Sequence, residues 1–143
     1  MIKIDDDLTT IHLTRGDASH EGYNRICFYF PIWDFENDEE TRYEFQPTDE
    51  ITLIVFEKKG YTKRELLNKS YTLSEIGYTT PTETPEIELS AEDTEVFEKT
   101  NKKKTYFYEI KLNGDTTIIG SDEDGDKKII VYPSGEVDGS VNP

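Results

Sequence analysis

The sequence predicts an all-β domain, an antiparallel β-sandwich with one short connecting helix. Three observations carry that expectation. Apolar residues recur with a period of two in several separate runs, the mark of strands with one buried face. Turn residues punctuate those runs at near-regular spacing, and a single segment opens with a helix-start signal. Nine Tyr and seven Phe are spread along a chain in which 33% of residues are charged, so aromatic rings supply a core that so polar a composition would otherwise lack.

In chain order, "IHLTRGDAS" places Ile11 and Leu13 on one face of an early strand. His12, between them, is expected to face solvent, and His20 to sit in a polar loop. Arg15-Gly16-Asp17 spells the tripeptide that adhesion receptors read. An adhesion signal would favour a protruding loop held by a disulfide in a secreted protein. Here a strand-ending turn is expected: Gly16 permits positive φ, and Asp17 can bond neighbouring amides. "RICFYFPI" puts Ile26, Phe28, Phe30 and Ile32 on one face, with a bulge or an end at Pro31. "ITLIVFEK" is apolar on both faces and reads as a central strand, whereas the weaker alternation of "LLNKSYTL" suits an edge.

"TTPTETP", Thr79 to Pro85, is a loop without periodicity, and "EIELS" a short strand. Ser90-Ala91-Glu92-Asp93 is a capping-box variant that starts a two-turn helix, with Val96 and Phe97 as its apolar contacts. "KTYFYEIKL" is the clearest strand, with Tyr106, Tyr108, Ile110 and Leu112 on one side. Asn113-Gly114 predicts a hairpin, and "DTTIIG" and "KKIIVYP" follow as two further strands. A partly open barrel fits the same pattern as a sandwich. The organisation expected is one domain over residues 1–135 and a flexible tail over 136–143.

With 31 acidic against 16 basic residues, the formal charge is -15. Such a surface repels phosphate backbones and argues against nucleic-acid binding. The lone Cys27 cannot form an intramolecular disulfide, and its apolar run marks it as core filler. The opening "MIKIDDDLTT" lacks the pattern of a signal peptide. No apolar segment approaches the roughly 18 residues of a membrane span. A soluble protein made in the cytoplasm, without membrane contact, is the expectation.

No signature of catalysis is present. The two histidines have no partner at metal-ligand spacing, and no nucleophile elbow or phosphate loop occurs. Neither enzyme activity nor a cofactor is therefore expected. A carboxylate pair arising among so many acids is the one enzymatic alternative, and it would need two acids converging in a cleft, one with a raised pKa. Asp122, Asp124 and Asp126 invite a calcium reading, but the loop fails the EF-hand pattern at both ends, with Gly120 and Val131 where acids are needed. A solvated turn is expected there, and a cation on these three acids is left open. Trp33, Phe35 and Tyr43 form a candidate interaction surface; closure of the core is the expected role of Trp33 and Phe35. The alternative is a platform on which sugars or a host surface would stack.

Taken together, three segments resemble a known family. "IHLTRGDAS" resembles the opening strand and turn of the amino-terminal domain of phage baseplate upper proteins and related tail proteins. "IELSAEDTEVFE" is similar to the segment before that family's penultimate strands, and "YFYEIKLNGDTTIIGSDEDGDKKIIVYPSG" to its closing meander. Between Asn24 and Thr80 the likeness extends only to strand patterning. The resemblance implies an immunoglobulin-like sandwich acting as a non-catalytic structural part of a phage or prophage tail. Its partners would be other baseplate proteins or copies of itself, and its place the virion tail.

Overall fold

The computed structural model describes residues 1–20, 23–78, 84–122 and 125–134. Its strands in chain order are β1 (Ile2–Ile4), β2 (Thr10–Thr14), β3 (Ile26–Cys27), β4 (Pro31–Asp34), β5 (Glu39–Arg42), β6 (Glu50–Lys59), β7 (Thr62–Thr72), β8 (Glu86–Ile87), β9 (Lys104–Leu112), β10 (Thr116–Ile119) and β11 (Lys128–Tyr132). A 3-10 turn, Leu73–Ile76, follows β7, and one α-turn, α1 (Ala91–Thr94), precedes β9. The chain is all-β in character, as its period-two runs require. Expectations about residues 79–83, Asp124 and the tail over 136–143 fall outside the described residues.

A large sheet carries the order β1-β2-β11-β9-β6-β7. β9 organises it: β6 lies along one edge, while β11 takes the first half of the other edge and β10 the second. β6 is central, between β9 and β7, and β7 is the edge strand that "LLNKSYTL" indicated. One pairing departs from the antiparallel expectation: β11 runs parallel to β2, Ile129 opposite Ile11 and Val131 opposite Leu13. The two strands belong to opposite ends of the chain, so no short hairpin dictates their direction.

The inward face of this sheet presents Ile11, Leu13, Ile51, Leu53, Val55, Tyr106, Tyr108, Ile110 and Val131, all buried. The same core cluster takes in Ile26 and Ile87 from the β3–β8 pair, Leu73 from the 3-10 turn, and Phe28, Phe45, Leu89 and Phe97 from the connecting segments. Tyrosine suits this core because its hydroxyl can reach backbone at the rim. Tyr108 donates to the Leu8 carbonyl at 2.8 Å, Tyr78 to the Phe45 carbonyl at 2.9 Å, and Tyr106 accepts from the Glu98 amide at 3.2 Å. The Tyr106 and Tyr108 bonds tie loops to β9, and the Tyr78 bond ties two connecting segments together. Burial pushes the Tyr108 hydroxyl pKa up, with the nearby Asp7 and Asp5 carboxylates adding to the rise.

Several local expectations are corrected. The apolar run from Ile26 is split: β3 ends at Cys27, the chain crosses the core through Phe28, and Pro31 starts a separate ribbon in which Ile32 is exposed. Cys27 is exposed as well, because Ile26 and Phe28 occupy the inner face and alternation sends its thiol outward. Partial desolvation, with the Glu86 carboxylate beside it, raises that thiol's pKa. The helix is a single turn, with the Ser90–Asp93 capping box formed in both directions. Phe97 is buried beyond it but Val96 is exposed. His12 is half-buried, its Nδ1 3.2 Å from the Tyr132 hydroxyl and its Nε2 3.4 Å from Asp5 Oδ2.

Candidate functional site

Three of the seven exposed large hydrophobic side chains among the described residues, Ile32, Trp33 and Phe35, lie on the β4–β5 ribbon. Among the described residues its strands pair only with each other, Trp33 opposite Glu40 and Asp34 opposite Glu39. The turn is built by Asp34, whose Oδ1 accepts from the amides of Glu36 at 2.9 Å and Asn37 at 3.2 Å, while Asp38 takes positive φ. These bonds favour the ionised form, and hydrogen bonding from the Asn37 side chain and backbone holds the Asp34 pKa below its ordinary value.

The ribbon stands on an aromatic base. Tyr43 donates its amide to the Phe30 carbonyl at 2.8 Å, and the Arg42 guanidinium lies 4.1 Å from the centre of the Tyr29 ring. Tyr43 then packs against Phe30 and edge-on against Phe45. Its hydroxyl donates to Asp49 Oδ2 at 3.0 Å. Desolvation and that neighbouring carboxylate raise the Tyr43 pKa. Asp49, only 7% exposed, also accepts from the Gln46 amide at 2.9 Å and the Asn113 side-chain amide at 3.1 Å. This carboxylate joins the ribbon's base, the start of β6 and the β9–β10 turn.

The three aromatic residues singled out in the sequence are therefore divided. Trp33 is 49% and Phe35 88% exposed, so neither closes the core. Neither ring stacks on another among the described residues. Tyr43 belongs to the base and is not part of a common platform with them. The reason is the ribbon itself: among the described residues no third strand pairs with it, and Ile32, Trp33 and Phe35 stay exposed. No periodicity announced it, because "WDFENDEETRYEFQ" mixes apolar and acidic residues without alternation.

The Arg15-Gly16-Asp17 turn is docked on the segment that follows α1. Arg15 donates from Nε to the Phe97 carbonyl at 2.9 Å and from Nη2 to the Glu95 carbonyl at 3.2 Å. The Thr94 side chain, fully buried, accepts from the Gly16 amide at 2.9 Å and donates to the Asp17 carbonyl at 2.7 Å. Asp17 Oδ2 meets the Met1 ammonium. The tripeptide is thus a structural clasp between β2 and α1, and Gly16 adopts φ +87° to make it.

In the acidic turn, Asp122 pairs with Lys127 at 2.9 Å and Asp126 with Lys58 at 2.6 Å. Hydrogen bonds from Lys58 and Ser121 lower the Asp126 pKa. Among the described residues no group of three potential metal ligands comes together. Glu86 and Glu88, neighbouring acids lining a shallow cleft, are bridged by Arg25 at 2.9 and 2.7 Å. No described helix is long and apolar enough to cross a membrane. Comparison with protein-family models, curated proteins and solved structures finds no match to this chain.

Proposed function

We propose that this chain is a non-catalytic structural component of a phage or prophage tail or baseplate, an immunoglobulin-like sandwich that acts through protein–protein contact. The mode of action rests on one observation: the β4–β5 ribbon holds Trp33 and Phe35 in water. A large ring exposed at a ribbon's tip costs solvation and contributes nothing to the core, and such rings are the usual anchors of interfaces. The assignment to a tail rests on the resemblance of Ile11–Ser19, Ile87–Glu98 and Tyr106–Gly135. A large sheet and a small β3–β8 sheet that share one core rich in aromatic rings support the immunoglobulin-like reading.

The test is the composition of particles purified from the bacterial host after prophage induction or infection. Quantitative mass spectrometry should find this chain in the tail fraction at a fixed ratio to the tail-tube protein, and its absence from purified particles would overturn the assignment. A second reading, glycan stacking on Trp33 and Phe35, draws on the same exposure but has lost Tyr43 to the ribbon's base. Binding on a glycan array that Trp33→Ala abolishes would establish it in place of protein docking.

A further inference from the structure

Charge in this molecule is segregated between two ends. The ribbon over 31–42 carries five acidic residues, Asp34, Glu36, Asp38, Glu39 and Glu40, against Arg42 alone. Among the described residues none of the five forms an ion pair with a lysine or arginine. Segments 57–65 and 98–104, by contrast, hold eight basic residues against three acidic ones, half of the 16 basic residues in a chain of net charge -15.

Sheet register brings those two segments together. β9 starts at Lys104 and sets Phe107 opposite Phe56, so the loop before β9 lies beside the β6–β7 turn. The Lys104 hydrogen bond, with Lys59 and Arg64 contributing, holds the Glu98 carboxyl below its ordinary range. Lys59, Lys63, Lys102 and Lys103 are exposed and take no carboxylate partner among the described residues. Tyr61 projects fully into solvent from the same turn. The ribbon's base is tied to the other end of β6 through Asp49 and Tyr43. Ten residues of β6 separate the two ends, roughly 30 Å at ~3.3 Å per residue.

We propose that copies of this chain associate head to tail, the acidic aromatic ribbon of one seating Trp33 and Phe35 on the lysine-rich end around Tyr61 of the next. Like-charge pairing excludes the symmetric alternatives: two ribbons face to face would set five carboxylates against five, and two basic ends would set lysines against lysines. Only unlike ends are complementary, and an interface between unlike patches is heterologous, building a ring if the rotation closes and a filament if it does not. The proposal rests on the reading of the ribbon as a protein-docking element and goes beyond it by naming the occupant.

Sedimentation velocity over protein and salt concentration tests it. Wild-type protein should exceed its 16.6 kDa protomer mass as concentration rises at low salt, and return to it as salt screens the contact. Trp33→Ala/Phe35→Ala and Lys59→Glu/Lys102→Glu should each weaken association at least about tenfold. Both pairs of sites are exposed, so unchanged thermal melts should certify the fold. An equimolar mixture of the two variants should form a one-to-one pair and nothing larger, because it holds one intact ribbon and one intact basic end per pair. A wild-type monomer at every concentration and salt overturns head-to-tail association while leaving the tail assignment to the particle measurement. Oligomers indifferent to Lys59→Glu/Lys102→Glu overturn it too. So does a monomer that binds a short DNA duplex through those lysines, which would give the basic end to a polyanion.

Discussion

The chain's tightest local arrangements are polar groups buried with all their partners present. Thr94 is one: its hydroxyl serves the Gly16 amide and the Asp17 carbonyl at once. Thr94→Val keeps the shape and orphans both, so urea unfolding should show a loss of about 2 kcal/mol. Gly16→Ala separates space from conformation. An added Cβ would meet nothing within 4 Å, but φ is +87°, so the cost should be the left-handed backbone alone, about 1 kcal/mol. A cost well above that would mean the clasp itself had been lost. Asp93 carries a pH dependence. Desolvation opposes its ionisation, but hydrogen bonds from Lys69 and Ser90 outweigh it and its folded pKa is lowered. A depressed carboxyl stabilises the fold above the unfolded value of 3.8, and that contribution is lost as pH falls through the lower folded pKa. Urea midpoints taken from pH 7 down to pH 2 should fall more for the wild type than for Asp93→Asn; equal slopes would remove Asp93 from the acid response.

At the scale of elements, the β4–β5 ribbon and the strands of the large sheet should answer mutation differently. Trp33→Ala and Phe35→Ala remove large rings that the core does not hold, and each should change stability by less than about 0.5 kcal/mol. Phe28→Ala, which empties a fully buried site in the core, should cost about 3–5 kcal/mol. Equal losses at the two places would mean that the ribbon folds back onto the domain. β7 shows how one residue re-aims a strand. Val55 pairs with Leu67 but Phe56 with Glu65, leaving Leu66 as a bulge. Beyond the bulge Lys63 lies over the Phe56 ring and Lys58 over Phe107. On the outer face of β6, lysine side chains and a stacked Phe56–Phe107 pair shield the apolar surface.

For the whole molecule, the sheet order decides how the chain folds. β9 joins strands from the middle of the chain to β11, and β11 reaches β2 near its start. Three of the six pairings in the large sheet join strands that are not successive in the chain, and loop closure must precede them, so refolding should occur in milliseconds to seconds and not in microseconds. Stopped-flow fluorescence of Trp33 would not report it well, since that ring stays exposed; far-ultraviolet circular dichroism would. The overall acidity and the basic end have different reach. A net charge of -15 repels copies at long range, whereas local complementarity acts only once the ends have met. Association should therefore have a slow, salt-accelerated on-rate but a salt-weakened equilibrium.

Period-two alternation within "KTYFYEIKL", the doubly apolar "ITLIVFEK", the positive-φ turn at Asn113-Gly114 and the capping box at Ser90 were all legible in the chain itself, because each depends on residues within a few positions of one another. The same local rules made Arg15-Gly16-Asp17 a turn. They could not show that Thr94, seventy-eight residues from Gly16, closes that turn, or that β2 and β11 lie parallel. Nor could they place Trp33, Phe35 and Cys27 outside: an apolar residue is buried only if something covers it, and the cover comes from distant chain. The sequence alone determined the period-two strands β6 and β9, the Asn113-Gly114 turn, the capping box at Ser90 and the excess of acidic residues. Tertiary structure decided which rings reach water and that half the basic residues gather at one end, since contact and charge clustering are set by what the register brings together.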